Sequence, residues 1–472
     1  MIDYQPNNSF FAQGEYHFLQ QSIPVQLSGN YKQHSQDPVV ITVWSDDKDA
    51  PKIFDLSMSY PNSVWFEGKT EFGESIWMKG INPHKITGLN KLEGDVNIYM
   101  KGDLKAPIHP EQKIQIHAKF SPTSLVVPEW TYSQSYDGTI TKFKDKDRKG
   151  INWENEHGTA KLIDNYEYVN GDKDNEFITI RIRSNILYFT MTPKVQTDID
   201  SILIQFPKYI AEDLNLLAFI GRRKIVCYEA TAHVSQDKNK LTVFARYKTW
   251  CGFYNLPPSQ SFLLSLIRPQ LLQQGLFDRL LINYRNSPYK AVICRTIPYL
   301  ITSYEDGYLE THLVTAYAAL ESMVDGIGDE LKISYLLRNN EFNKLSGKIE
   351  NVIEHEVQDP TIREGIIKKI PELRRRAYLD RLLFLLDHQN VNKNLIWPPN
   401  TDQNKEFHEL LKRRNLLIHT GSIDQGNTSL FDLNRVQKLV ELWILKLLDC
   451  PEDAIDEYSL WRDAPINQVI HY

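Results

Sequence analysis

Apolar and polar residues alternate through much of the first half of the chain and recur at helical spacing through the second. Val39–Trp44 and residues 113–120 and 177–183 are rich in β-branched side chains, and the last two runs alternate strictly. Successive side chains on a strand point to opposite faces, so this alternation predicts half-buried strands. Residues 186–190, 224–228 and 241–250 continue the pattern, and turn chemistry at Asn170-Gly171, at Asp137-Gly138 and at several prolines separates the runs. Regular short strands of this kind predict an antiparallel sandwich-like or barrel-like domain over residues 1–255. The segment after Pro207, residues 210–219, reads as a helix packed on that sheet.

Beyond Pro257-Pro258 the period becomes helical. Residues 262–284 give an amphipathic run interrupted at Pro269, and residues 305–324 form a helix with Leu309, Leu313, Ala316, Tyr317 and Leu320 on one face. Further helices are predicted at 341–357, 372–387, 402–419 and 430–449. Strands followed by helices imply an α+β multidomain chain, with a β-rich sandwich-like domain (1–255), a helical connector (256–304) and an all-α bundle (305–472).

A chain of 472 residues exceeds one ordinary core, which agrees with that division. The net charge of −6 gives no global basic signal, so any nucleic-acid contact has to be local. Cys227, Cys251, Cys294 and Cys450 are far apart and form no C-x-x-C pair, a pattern expected of reduced, mostly buried thiols. The start lacks the basic and apolar regions of a secretory signal, and stretches such as 262–267 and 382–386 are too short to span a bilayer. The expected setting is the cytoplasm, without a membrane.

Most candidate sites have simpler structural explanations. Asp145-x-Asp147-x-Lys149-Gly150 with Glu156 superficially matches a calcium loop, but Lys149 stands where an oxygen ligand belongs. A charged hairpin turn explains it better, and residues 171–175 read as another acidic turn. Glu354-His355-Glu356 and His408-Glu409 do not make the zinc-protease helix, and the sequence offers neither a phosphate-binding glycine loop nor a nucleophile elbow. No cofactor and no metal are expected. Trp44, Trp65, Trp77, Trp130 and Trp153 either form a ligand platform or fill the core of the β half. Arg374-Arg375-Arg376, followed by Arg381, opens a predicted helix. It is either a solvated face or, with Lys412, Arg413 and Arg414, a surface that tracks an RNA backbone.

The most informative stretch is Arg414-Asn415-Leu416-Leu417-Ile418-His419, at the end of an amphipathic helix that stops at Gly421. At about 100° per residue, Phe407, Leu410, Leu411, Leu417 and Ile418 form an apolar stripe with Arg414 near its middle. A permanent charge there requires a partner or a cleft. His419 lies about 140° away, beside Asn415 and His408, and loosening of the last turn would let it swing toward Arg414. A guanidinium that grips phosphate near an imidazole that titrates near neutral pH suits phosphodiester cleavage. The structural alternative is that Arg and His simply complement a helix C-terminus. Glu321, on the predicted 305–324 helix, is either a partner of Arg414, an orienting group for His419, or an exposed helix-end residue.

The stretch E-L-L-K-R-R-N-L-L-I-H-T-G at 409–421 resembles the R-N-x-x-x-H motif of HEPN ribonuclease domains, and Ala-Ala-Leu-Glu at 318–321 resembles the first helix of that superfamily. The HEPN resemblance covers roughly residues 305–450. A β-rich first half ahead of such a domain resembles the ApeA family of bacterial anti-phage, abortive-infection proteins. The resemblance implies a metal-independent endoribonuclease acting on RNA such as tRNA or mRNA, as a homodimer or higher oligomer with a composite cleft. Arg414 would hold the scissile phosphate, His419 would transfer protons, Asn415 would orient the histidine or meet substrate, and Glu321 would support them. Lys412, Arg413, Arg374, Arg375 and Arg376 would follow the RNA backbone. The β-rich half would be the sensor, answering a phage-encoded trigger. Some HEPN toxins carry a modifiable tyrosine four residues after the histidine; here Ile423 occupies that position, so such control is not expected. The rival reading is a non-catalytic protein that binds a ligand or phage component through its β half and dimerises through its helices. A carbohydrate-binding sandwich fits less well, because no secretion signal is seen.

Overall fold

The computed structural model describes residues 7–32, 38–87, 90–121, 125, 133–134, 140–141, 150–170, 178–236, 239–248, 265–304, 308–397, 401–421 and 427–455. The calcium-like loop at 145–149, the turns at 137–138 and 171–175, Trp130, Cys251, the Pro257-Pro258 junction and Ile423 lie outside the described residues. The chain is α+β and divides into two compact units, Met1–Arg279 and Leu280–Tyr472. The helical turns at 269–276 belong with the β-rich unit because they pack on the strand Ile151–Asn155, where Phe277 meets Trp153 edge-on at 5.0 Å.

In the first unit, six antiparallel strands close into a barrel. Around it run Asn7–Phe18, Gln21–Lys32, Val39–Trp44, Lys91–Gly102, Ser75–Thr87 and Val64–Thr70, the last pairing back to the first. Alternation drives the closure: Tyr16, Leu27, Ile41, Val43, Phe66 and Met78 all turn into one core, and their neighbours turn out. Gly14 faces Gly68 across one ladder, and a Cβ on Gly14 would fall 2.1 Å from the Glu67 carbonyl oxygen. That bare approach lets the sheet coil tightly. The helix Ala50–Ser59 adds Ile53 and Phe54 to the core, and Ser57 accepts a hydrogen bond from the Tyr16 hydroxyl at 3.0 Å.

The sheet continues past the barrel through Asn239–Tyr247, Cys227–Gln236, Ile114–Phe120, Ile178–Met191, Gly158–Asn170 and Ile151–Asn155. The architecture is therefore a barrel extended by an open sheet, which meets the barrel-like alternative of the sequence expectation and corrects the sandwich-like one. Residues 178–183 and 186–190, read as parts of separate runs, belong to one strand, Ile178–Met191, which carries the extra residue Arg183 where the register shifts opposite Asn165/Tyr166. Of the tryptophans, Trp153 is core, its Nε1 donating to Asp213 at 2.7 Å; Trp44 and Trp65 engage Gln26 and His17 instead of one common platform.

Two helices cover one face of the open sheet. Ala211–Ile220 is the helix expected after Pro207; Ile199–Tyr209, which contains Pro207, was not. Proline lacks the N–H that would bond the carbonyl four residues back, so Leu203 loses its helical donor. The Tyr247 hydroxyl, on a strand beneath, donates to that carbonyl at 2.6 Å and restores the balance.

The second unit is helical. Leu309–Glu330 is its central element and packs on Lys290–Thr302, Tyr378–His388, Gln403–Thr420 and Asn427–Leu447. The expected helix at 372–387 is broken: Ile370–Arg374 is a 3-10 turn, and Arg375 bridges to Tyr335 before Tyr378–His388 begins. The cysteines are less buried than expected, with Cys294 exposed and Cys227 and Cys450 half-buried. Among the described residues, no helix is long and apolar enough to cross a membrane.

Tyr247→Phe strands the buried Leu203 carbonyl and is expected to destabilise the β-rich unit by about 1–3 kcal/mol. Urea unfolding checks this, and a loss below about 0.5 kcal/mol would remove the account of how Pro207 is accommodated.

Candidate functional site

The helix Gln403–Thr420 has well-defined ends. Asp402 accepts a hydrogen bond from the Lys405 amide at 3.2 Å, and Gly421, in the left-handed region at φ 67, sends its N–H to the Leu417 carbonyl at 2.8 Å. Phe407, Leu410, Leu411 and Leu417 are buried within the unit. Phe407 packs edge-on against Trp397 at 4.4 Å, and the Tyr317 hydroxyl donates to the Leu410 carbonyl at 3.3 Å. Four residues of the apolar stripe are thus buried by the fold of one chain. Ile418 departs from the stripe: it is 48% exposed, and Leu416 is 49% exposed. Both flank His419 on the outward side of the last turn.

Arg414 occupies the half-buried position that its place in the stripe predicted, and its partner is Glu321. The two form an ion pair, and Arg414 Nη1 also donates to Asn415 Oδ1 at 2.8 Å. Glu321 is an inner residue of the central helix, not its end, since that helix runs on to Glu330. Burial pulls the Arg414 pKa below the ordinary arginine value, but a guanidinium stays protonated at neutral pH. The structure therefore unites Glu321, Arg414 and Asn415. It does not bring His419 to them within one chain: the helix stays regular to Thr420, and five residues separate the two side chains by about 140° and about 7.5 Å along the axis. His419 and Asn415 are exposed.

Tyr378 and Asp325, not singled out in the sequence, complete this place together with Arg381. Tyr378 lies beneath both guanidinium groups, with Arg414 5.6 Å and Arg381 5.8 Å from its ring centre. Arg381 in turn bonds Asp325 at 2.8 Å. Burial raises the pKa of Tyr317 and of Tyr378, so both hydroxyls remain protonated donors. A signal was present: Tyr317, Glu321 and Asp325 stand four apart, on one line of the central helix.

The expected RNA-facing cations are not one surface cluster. Arg413 is held by Asp432 through two bonds, Nε to Oδ2 at 2.5 Å and Nη2 to Oδ1 at 2.9 Å. Arg374 stacks on Tyr335 at 4.1 Å and donates to the Leu337 carbonyl at 3.0 Å; Arg376 lies over Phe384 at 5.4 Å. Arg413 is thus engaged by a carboxylate of its own unit, while Arg374 and Arg376 rest on aromatic rings. Lys412 and Arg375 are exposed. Asp432 has a side chain only 3% exposed; its burial raises the carboxyl pKa more than Arg413 lowers it, while its bonds raise the Arg413 pKa. The pair fixes geometry more than it adds stability. Among the described residues, no three His, Cys, Asp or Glu side chains are grouped as a metal ion would need.

Comparison with known protein families, with curated proteins and with solved structures found no match for this chain.

If Arg413 is structural, removing its partner must cost far more than removing an exposed cation. Asp432→Ala is expected to destabilise the helical unit by about 3 kcal/mol, and Lys412→Ala by less than about 0.5 kcal/mol. Equal denaturation midpoints for the two variants would contradict this assignment.

Proposed function

We propose that the chain is a HEPN-type endoribonuclease of the ApeA kind, an abortive-infection effector of bacterial anti-phage defence. The observation that carries this reading is the state of Arg414: a half-buried guanidinium, paired with Glu321 and lying over Tyr378, in an R-N-x-x-x-H helix whose histidine is exposed. In the proposed reaction the 2′-hydroxyl attacks the adjacent phosphorus, giving its proton to a base, while the 5′-oxygen leaves with a proton from an acid. The products are a 2′,3′-cyclic phosphate and a free 5′-hydroxyl. His419 serves in this transfer, a role contributing roughly 10² to 10⁴ in rate, and Arg414 stabilises the charge growing on the phosphate. Asn415 orients the arginine to which it is bonded.

Because His419 and Arg414 diverge on one helix, the reaction uses residues from two copies. Leu416 and Ile418 beside His419 supply exposed apolar surface for that association. In this reading the twofold contact lies on the outward face of the helix, away from Phe407, Leu410 and Leu411. The β-rich unit acts as sensor or restraint, released by a phage-encoded trigger.

A second reading is favoured by one specific observation. Arg414 is already capped inside the unit by Glu321, as a purely structural arginine would be. In that case the chain is a non-catalytic binding protein whose helices only associate.

His419→Ala and Arg414→Ala are each expected to abolish RNA cleavage in a folded protein, scored by sequencing RNA ends after induced expression. The proposed chemistry uses only imidazole and guanidinium, so cleavage persists in EDTA. Leu416→Asp combined with Ile418→Asp is expected to reduce association in sedimentation and activity together. Wild-type cleavage by the His419→Ala variant would overturn the role given to His419, and no cleavage by the wild type would leave the non-catalytic reading standing.

A further inference from the structure

Among the described residues, the helices of the β-rich unit cover one face of its open sheet. On the opposite face, strand register sets a straight row across six neighbouring strands. Lys101 is opposite Phe244, Phe244 opposite Thr231, Thr231 opposite His117, His117 opposite Tyr188, and Tyr188 opposite Lys161. Directly opposed residues share a face. Five intervals of about 4.8 Å make the row about 24 Å long. Its rings are partly open to solvent, and Tyr188 is 38% exposed.

Two features make this face a bounded groove. At one end, Phe10 and Tyr31, from strands that run on beyond the barrel, pack on Tyr99 and Phe244 and form a wall. There a cleft of about 590 Å³ opens between Lys101, Asp103, Thr242 and Phe244. From Thr242 the polar surface leads on: its hydroxyl is 3.2 Å from His233 Nδ1, and His233 meets His117 edge-on at 5.1 Å, while His117 meets Tyr188 at 4.7 Å. Along the wall, Glu229 is taken up by Lys119 and Arg246. Lys161 at one end and Lys101 at the other, the latter 3.9 Å from Glu74, bracket the aromatic members of the row.

We propose that this face binds a single-stranded nucleic acid, whose bases stack on Phe244, His117 and Tyr188 while its phosphates meet Lys101 and Lys161. Rings spaced along a row that ends in a lysine on each side match the recurring chemistry of a single strand: a π-face on every base and a charge on every link. Burial lowers the pKa of His117 and of His233, with Lys240 acting in the same direction. Both rings are therefore neutral at neutral pH and act as stacking surfaces. A base-paired duplex hides its base faces and does not suit the row. The site lies wholly in the β-rich unit and does not depend on the reaction proposed above.

The test uses the full chain and fluorescence anisotropy with labelled probes of about 16 nucleotides. One probe is oligothymidylate and the other 2′-O-methyl oligouridylate, which lacks the hydroxyl that cleavage would need; a duplex is the control. Binding to either single strand, weakening as salt rises, is expected, and preference for one sugar identifies the natural polymer as RNA or DNA. Tyr188→Ala and Lys161→Glu are each expected to weaken binding about tenfold, and Tyr188→Phe to preserve it. Circular dichroism identifies the folded variants, and Lys161→Glu, at a half-exposed position, serves if Tyr188→Ala unfolds. No single-strand binding by the wild type at low salt, equal preference for duplex, or unchanged binding by a folded Lys161→Glu or Tyr188→Ala variant overturns the proposal.

Discussion

A β-strand has two hydrogen-bonding edges, and the architecture of the first unit depends on how Lys91–Gly102 uses them. One edge pairs along its length with Ser75–Thr87 and closes the barrel. The other is divided: residues 91–96 pair with Val39–Trp44 inside the barrel, and residues 98–102 pair with Asn239–Tyr247 outside it. The strand therefore belongs to two curved surfaces at once. Leu92, Val96 and Tyr99 turn into the barrel core, Met100 lies level with Ala245 on the other face, and Lys101 is brought level with Phe244. Barrel core and aromatic row are thus two results of a single register.

In the second unit the corresponding constraint is the neutralisation of cations among helices. Arg381, Arg413 and Arg414 come from neighbouring helices and turn toward carboxylates at Asp325, Asp432 and Glu321. A half-buried charge without its partner is costly, so these pairs restrict which helix faces can meet. Tyr378, under two guanidiniums, adds an orientation that charge alone does not specify. Any substrate phosphate reaching Arg414 would have to compete with Glu321 for the same donors.

Local chemistry was legible in the sequence, and long-range use of it was not. Val39–Trp44 was readable from its β-branched run, and the final motif helix from Asp402 at one end and Gly421 at the other. The half-buried place of Arg414 followed from its position in an apolar stripe. Pro207 misled because its lost bond is replaced by Tyr247, a residue from another strand. Arg374, Arg375 and Arg376 looked like one basic patch because the partners that engage Arg374 and Arg376 lie elsewhere in the chain. The short helix Pro360–Ile367 was not read from the sequence, although Asp359 caps it and Pro360 suits its first turn. Barrel closure was not readable, because it depends on pairing between strands distant in sequence.

The divided edge of Lys91–Gly102 also has a kinetic meaning. Barrel strands lie within the first 102 residues, but the partner of residues 98–102 arrives about 140 residues later. During synthesis the barrel can condense early, leaving a short open edge that templates the rest of the sheet. Until Asn239–Tyr247 emerges, that edge is a place where a foreign strand could add. The lysine at 101 and the left-handed glycine at 102, with φ at 118, make it a poor site for such addition. A topology that joins two surfaces through one strand thus also imposes an order of assembly, barrel first and open sheet second.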